Sequence, residues 1–125
     1  MMLIEEIAKF LQTHGIGALG NDIFIGFQPA EPDNCITILE TGGYRPDYIE
    51  AIRYPTFQFI VRNIDYALAN SKAEEIFALF HSKENYSLGD FYIYYSEFAQ
   101  EPTYIGQDTN GRYEISLNLE ITRRY

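Results

Sequence analysis

Cysteine occurs once in this chain, at Cys35, and tryptophan not at all. One thiol permits neither an intramolecular disulfide nor a cysteine-based metal cluster, and fits a reduced, intracellular setting. Basic residues are scarce: 9 Lys and Arg stand against 18 Asp and Glu, for a net charge of -9. That balance argues against unassisted binding of duplex DNA, which needs a basic patch to release counterions. It is compatible with a surface that DNA slides past, because an acidic wall prevents sticking. Long apolar runs are missing too, and none approaches the ~20 residues that span a bilayer. A signal peptide begins with bases, whereas this chain opens Met1-Met2-Leu3-Ile4-Glu5-Glu6. The expectation is a protein made in the cytoplasm, with no membrane contact.

What is present is apolar and aromatic. The 125 residues fit one domain, 1–125, and 46% of them are hydrophobic, enough for an ordinary core. Eleven tyrosines and nine phenylalanines are many for this length. Tyrosine buries area at low entropic cost and keeps a polar tip, so it is enriched at protein interfaces. A tyrosine-rich core and surface would look the same in composition.

Periodicity supplies the elements. Residues 2–14 read as an amphipathic helix, with Leu3, Ile4, Ile7, Phe10 and Leu11 on one side and Gly15 as its stop. Strands are expected at 22–28, 34–40 and 53–62, the first ended by Pro29 to Pro32. In the third, Phe57, Phe59 and Val61 share a face. A second helix is expected at 65–82, with Tyr66, Ala69, Ala73, Ile76, Phe77 and Phe80 as its apolar stripe. A fourth strand covers 90–98, with aromatics on both faces. Loops are expected at 41–49 and at 100–111. In the last strand, 112–122, Tyr113, Ile115, Leu117, Leu119 and Ile121 alternate with Glu114, Ser116, Asn118 and Glu120, the mark of a sheet covered on one side. The order α-β-β-β-α-β-β gives an α+β, two-layer domain: an antiparallel or mixed sheet of four to five strands packed on two helices.

Motifs with chemistry fail on context. Gly15-Ile16-Gly17-Ala18-Leu19-Gly20 matches G-x-G-x-x-G, but here a helix precedes and a strand follows, the reverse of a dinucleotide site. A calcium loop through Asp108, Asn110 and Gly111 would start at Gly106 and close at Leu117, which cannot build an oxygen cage. Asn85-Tyr86-Ser87 fits a glycosylation acceptor only in a secreted chain. His14 and His81 end the two helices, where imidazoles favour the carbonyl terminus. Cys35 reads as a small buried hydrophobe. Glu5/Glu6 and Glu74/Glu75 read as solvated helix faces. No catalytic residue, cofactor or metal site is expected.

Several segments, taken in order, resemble the bacteriophage minor capsid family of phages and prophages of Gram-positive bacteria. They are Phe24-Ile25-Gly26-Phe27-Gln28-Pro29, Pro32-Asp33-Asn34-Cys35, Gly42-Gly43-Tyr44-Arg45-Pro46-Asp47, Tyr54-Pro55-Thr56-Phe57-Gln58, Val61-Arg62-Asn63, and Gly106 through Glu114. The resemblance implies a fold similar to siphophage tail terminators and a structural virion protein rather than an enzyme. It implies a homo-oligomeric ring, a hexamer, at the head-tail joint. That ring ends the tail tube, meets the major tail tube protein on one side and a head-completion or connector protein on the other, and lets DNA pass without gripping it. It is assembled in the host bacterial cytoplasm. The two loops match the family's long connections, so the contact residues it suggests are Tyr44, Arg45, Asp47 and Tyr48 in the first, Tyr104 and Asp108 in the second, and Tyr92 and Tyr94 on the fourth strand. Ordinary turn chemistry is the other reading of the loops. The other reading of the whole is a small cytoplasmic protein-binding adaptor, acting as a monomer or dimer.

Overall fold

The computed structural model describes residues 2–47 and 51–124. Its first element is helix α1 (Leu3–Thr13), which buries Leu3, Ile4, Ile7, Ala8 and Leu11. The Glu5 carboxylate accepts from the Met2 N–H at the helix start, and Gly15, at φ 74, ends it in the left-handed conformation. Strands β1 (Ile23–Ile25), β2 (Cys35–Glu40), β3 (Ile52–Arg53) and β4 (Thr56–Asn63) follow. Then come helix α2 (Tyr66–Phe80) and strands β5 (Lys83–Leu88), β6 (Phe91–Phe98), β7 (Thr103–Gln107) and β8 (Tyr113–Arg124).

The eight strands form one mixed sheet in the order β1-β2-β4-β8-β6-β5, with β3 and β7 also paired to β8. Among the described strands, β1 and β2 pair parallel and the remaining pairs are antiparallel. The long strand β8 is the spine. On one side β4 pairs with its residues 113–120 and β3 with 123–124, so the two are one lane interrupted at Tyr54-Pro55. Proline has no N–H for a ladder, and Pro55 instead offers its carbonyl to the Ile121 N–H. On the other side β6 and β7 likewise form one lane, broken at residues 99–102.

Alternation along β8 places Ile115, Leu117, Leu119 and Ile121 toward the helices, all 2% exposed or less. Phe57, Phe59 and Val61 line up beside them on β4. Phe59 packs against Phe80 of α2 and Phe98 of β6, with ring centroids 5.9 and 6.1 Å away. Both helices thus cover one face of the sheet, as the alternating pattern predicts.

Four features differ from the sequence reading. The described residues form eight strands, not four to five. The 53–62 strand is split into β3 and β4. The segment between the expected second helix and fourth strand, to which no element was assigned, carries β5, an edge strand with little apolar content. It is held by a polar link, in which the Tyr86 hydroxyl donates to Ser96 Oγ (2.7 Å) and Ser96 donates to the Phe80 carbonyl (2.7 Å). The loop expected at 100–111 carries β7, because its backbone completes the ladder beside residues 113–116.

The face away from the helices is not fully open. Residues 26–34 fold back over it. There Arg62 donates to the Pro32 and Asp33 carbonyls (2.5 and 3.3 Å), Arg112 donates to the Ala30 carbonyl (2.6 Å), and Gln28 donates to Glu114 (2.5 Å). Arg62 and Arg112 are therefore buried, with their charges spent inside the fold.

Candidate functional site

Among the described residues, no group of three His, Cys, Asp or Glu side chains is placed to hold a metal, and no helix is long and apolar enough to cross a membrane. A hollow of about 60 Å³ beside Cys35 and one of about 150 Å³ beside Glu6 fall below the roughly 300–1,000 Å³ of small-molecule pockets. Cys35 is buried, and that burial pushes its thiol pKa up, so it is a poor nucleophile. His14 Nδ1 bonds the Phe10 carbonyl (2.9 Å) at the end of α1, as its helix-terminal position predicts. His81 does something else. Its Nδ1 accepts from the Phe98 N–H (3.1 Å), and its ring stacks on Phe77 at 4.4 Å, tying α2 to β6.

The surface offers aromatic side chains in several places; one is Phe27, 60% exposed beside Phe24, and three others hold tyrosines. The first is the 41–47 loop. Tyr44, 60% exposed, donates its hydroxyl to Glu120 (2.8 Å), and this bond raises the Tyr44 pKa. Its backbone N–H bonds the Tyr54 carbonyl. Arg45 and Asp47 are exposed beside it, and Asp47 accepts from the Tyr54 hydroxyl (2.9 Å). Gly43 passes so close to the Tyr54–Pro55 backbone that a Cβ would collide with it. This loop is therefore anchored to the sheet. Tyr48 lies outside the described residues.

The second place is β6. Tyr92 and Tyr94 meet edge to face at 5.1 Å, the Arg124 guanidinium lies 5.0 Å from the Tyr92 ring, and the Tyr92 hydroxyl donates to Asn85 (3.1 Å). Tyr94 is exposed next to the irregularity between Ile93 and Tyr95.

The third is one that sequence reading found in part. Tyr104 of β7 packs against Tyr66 at 5.3 Å, and Tyr66 against Tyr113 at 5.4 Å. Tyr66 was expected in the core stripe of the second helix. It is instead 45% exposed, because it occupies the first helical position and faces β7. Ile64, Leu68 and Ile105 are close to it in sequence, each more than half exposed. The signal available beforehand was three apolar residues, Ile64, Tyr66 and Leu68, around a helix start, which a core stripe does not require.

Asp108 closes a turn rather than standing free. Its carboxylate accepts from the Asn110 and Arg112 N–H groups (both 2.9 Å) and from Arg112 Nε (2.7 Å). The Arg112 backbone donor, opposed by burial and reinforced by the Arg112 side chain, holds this carboxyl below its ordinary pKa.

A sheet backed by two helices, with exposed tyrosines on its strands and loops, sets the terms for comparison. A sequence model described as bacteriophage tail terminator protein matches residues 10–125. The chain belongs to the bacteriophage tail terminator family. This is a family of phage structural proteins, not of enzymes, and the tail-terminator resemblance seen in the sequence is the right one. No curated protein matches this tail terminator significantly. Among solved structures, a chain titled as the virion of a native gene transfer agent particle shares its fold. The TM-score is 0.70 at 11% identity, over 98% of this chain and 92% of that one.

Proposed function

We propose that this tail terminator forms a closed ring at the head-tail joint. The ring stops growth of the tail tube on one face and receives a head-completion protein on the other. Family membership over residues 10–125 carries the reading. The molecule has the features such a part needs. Its sheet is pinned by β8, which pairs with four other strands. Tyr92, Tyr94 and Tyr104 stand on strands, and Tyr44 is tied to Tyr54 and Glu120, so docking costs little ordering entropy. A net charge of -9 suits a ring through which DNA passes without being held. On this reading the protein is a hexameric, non-enzymatic virion component that touches tail tube protein, head-completion protein and its own copies.

The test is electron microscopy of lysates from a phage lacking this chain. The expected result is free heads beside unjoined, over-long tails, with full virions restored when the chain is supplied. Normal virions without it would overturn the proposal.

A further inference from the structure

Arg62 is a buried cation without a counter-charge among the described residues, and we infer that a small oxyanion supplies one. Its place is the hollow at the end of the sheet where β2 begins and β4 ends. That hollow has a volume of about 60 Å³. A single water needs roughly 10–15 Å³ of cavity, so a phosphate or a carboxylate group fits there and a nucleotide does not.

Arg62 is 3% exposed and stands between Cys35 of β2 and Glu114 of β8 in the sheet register. Its guanidinium donates to the Asp33 carbonyl (3.3 Å) and the Pro32 carbonyl (2.5 Å). Carbonyls satisfy N–H groups but leave the charge unmatched. Arg112 differs, because the Asp33 and Asp108 carboxylates lie 3.3 and 2.7 Å from it. No carboxylate of the described residues comes within ion-pair distance of Arg62, and that of Glu114 takes the Gln28 amide instead. Burying a charge is costly unless an opposite charge goes with it.

The polar residues lining the hollow are Asp22, Asn34, Cys35, Arg62, Asn63 and Lys72, and most of what they offer is donors. The side-chain carbonyl of Asn34 accepts from the Ile64 N–H (3.1 Å) and that of Asn63 from the Asp65 N–H (2.9 Å), so each amide keeps its NH₂ group for a guest. Lys72 of α2 donates to the Ile16 carbonyl (3.1 Å) and lies 3.7 Å from Glu75, which leaves part of its three-donor ammonium to spare. Asp22, the carboxylate on this wall, already accepts from the Ala18 N–H (2.6 Å). Burial pushes the Cys35 thiol pKa up, but among the charges acting on it those of Arg62 and Arg112 each exceed that of Glu114.

These groups select the guest. A cation would meet two cations. Water would satisfy the donors and leave the Arg62 charge unmatched. An oxyanion does both, because its several acceptor lone pairs take charge-assisted bonds from guanidinium, ammonium and amide together. In a chain of net charge -9 the hollow is thus a local reversal of sign. A bound oxyanion would tie α2, through Lys72, to the ends of β2 and β4 and to the 26–34 segment that covers Arg62.

The experiment titrates the full chain with sodium phosphate and, separately, sodium acetate, read in amide NMR spectra. Sodium chloride holds the ionic strength constant, so that shifts common to any salt cancel. The expected result is saturable shifts of the Asn34, Cys35, Asn63 and Ile64 amides, with a Kd of about 1 mM. Tighter binding of phosphate would identify a free oxyanion as the guest, and tighter binding of acetate a carboxylate carried by another chain; either supports the site. Lys72→Gln, on a helix surface, should keep the circular dichroism spectrum and weaken binding about threefold, with Lys72→Arg restoring it. Arg62→Gln should abolish binding, and where that variant does not fold Lys72→Gln decides. No saturable shift at these amides with either anion up to about 50 mM, or a saturable shift that Lys72→Gln leaves unchanged, overturns the proposal.

Discussion

At the scale of single residues, alternation in β8 was legible in the sequence and the turn chemistry was not. Leu117 is fully buried between Phe59 and the helices. Leu117→Asp would place an unpaired charge there at a cost of several kcal/mol. The expected outcome is loss of the cooperative melting transition. Asp108 shows the opposite case. The family resemblance suggested a contact charge, yet its partner is Arg112, four residues on, and only the folded turn reveals the match. Because its folded pKa is lowered, it contributes stability above the ordinary carboxylate range that is lost as pH falls through the folded value. Asp108→Asn should therefore melt earlier than wild type at neutral pH, with the gap narrowing as pH drops below about 4. A gap independent of pH would mean that the carboxylate charge does not matter. Glu97 and Glu120 stand directly opposite on β6 and β8, each accepting from a tyrosine hydroxyl, Tyr95 and Tyr44. Like charges so placed cost stability. Glu97→Gln should raise the melting temperature slightly, consistent with relief of roughly 0.2–1 kcal/mol.

At the scale of elements, both helices, β2, β4, β6 and β8 follow from periodicity, because each has a stripe that must be buried. The strands that escaped, β5 and β7, have no such stripe. Lys83-Glu84-Asn85-Tyr86-Ser87-Leu88 contributes only Tyr86 and Leu88 to the core. It is a strand because a two-residue turn folds it onto β6, and Gly89 takes the left-handed φ of 60 that this turn needs. β7 exists because the ladder along β8 continues past Pro102. Such strands are made by pairing, which sequence pattern does not record. Gly89→Ala is strained twice, by its φ and by a collision with the Glu6 carboxylate. It should lower stability by more than about 1 kcal/mol, seen as a drop in the denaturant midpoint. Helix α2 begins on Asp65, whose carboxylate accepts from Ala67 and Leu68 N–H. Asp65→Ala should cost about 0.5–2 kcal/mol, with the same readout.

At the scale of the whole molecule, the candidate surfaces were half legible. The loop at 41–47 and the tyrosines of β6 could be named from turn residues and composition. The approach of Arg53 to Arg123 could not, because the two are distant in sequence and stand opposite each other only through the pairing of β3 with β8. That approach puts the expectation about DNA to a harder test, since Arg45, Arg53, Arg123 and Arg124 all stand toward one end of β8. Magnitude decides it. If all four met phosphates, the salt dependence would have a slope of roughly -3.6, from about 0.9 for each phosphate neutralised. Proteins that hold duplex DNA well use about 6–10 such contacts, and here a net charge of -9 repels the duplex from every other direction. Cation-aromatic contacts already engage Arg123 and Arg124, so part of their reach is committed to the fold. Gel-shift titration with duplex DNA should accordingly show no complex at micromolar protein in about 0.15 M salt, and at most a weak one when salt is lowered until the Debye length exceeds about 10 Å. A retarded band at micromolar protein in the higher salt would mean that this end of the molecule grips nucleic acid despite the net charge.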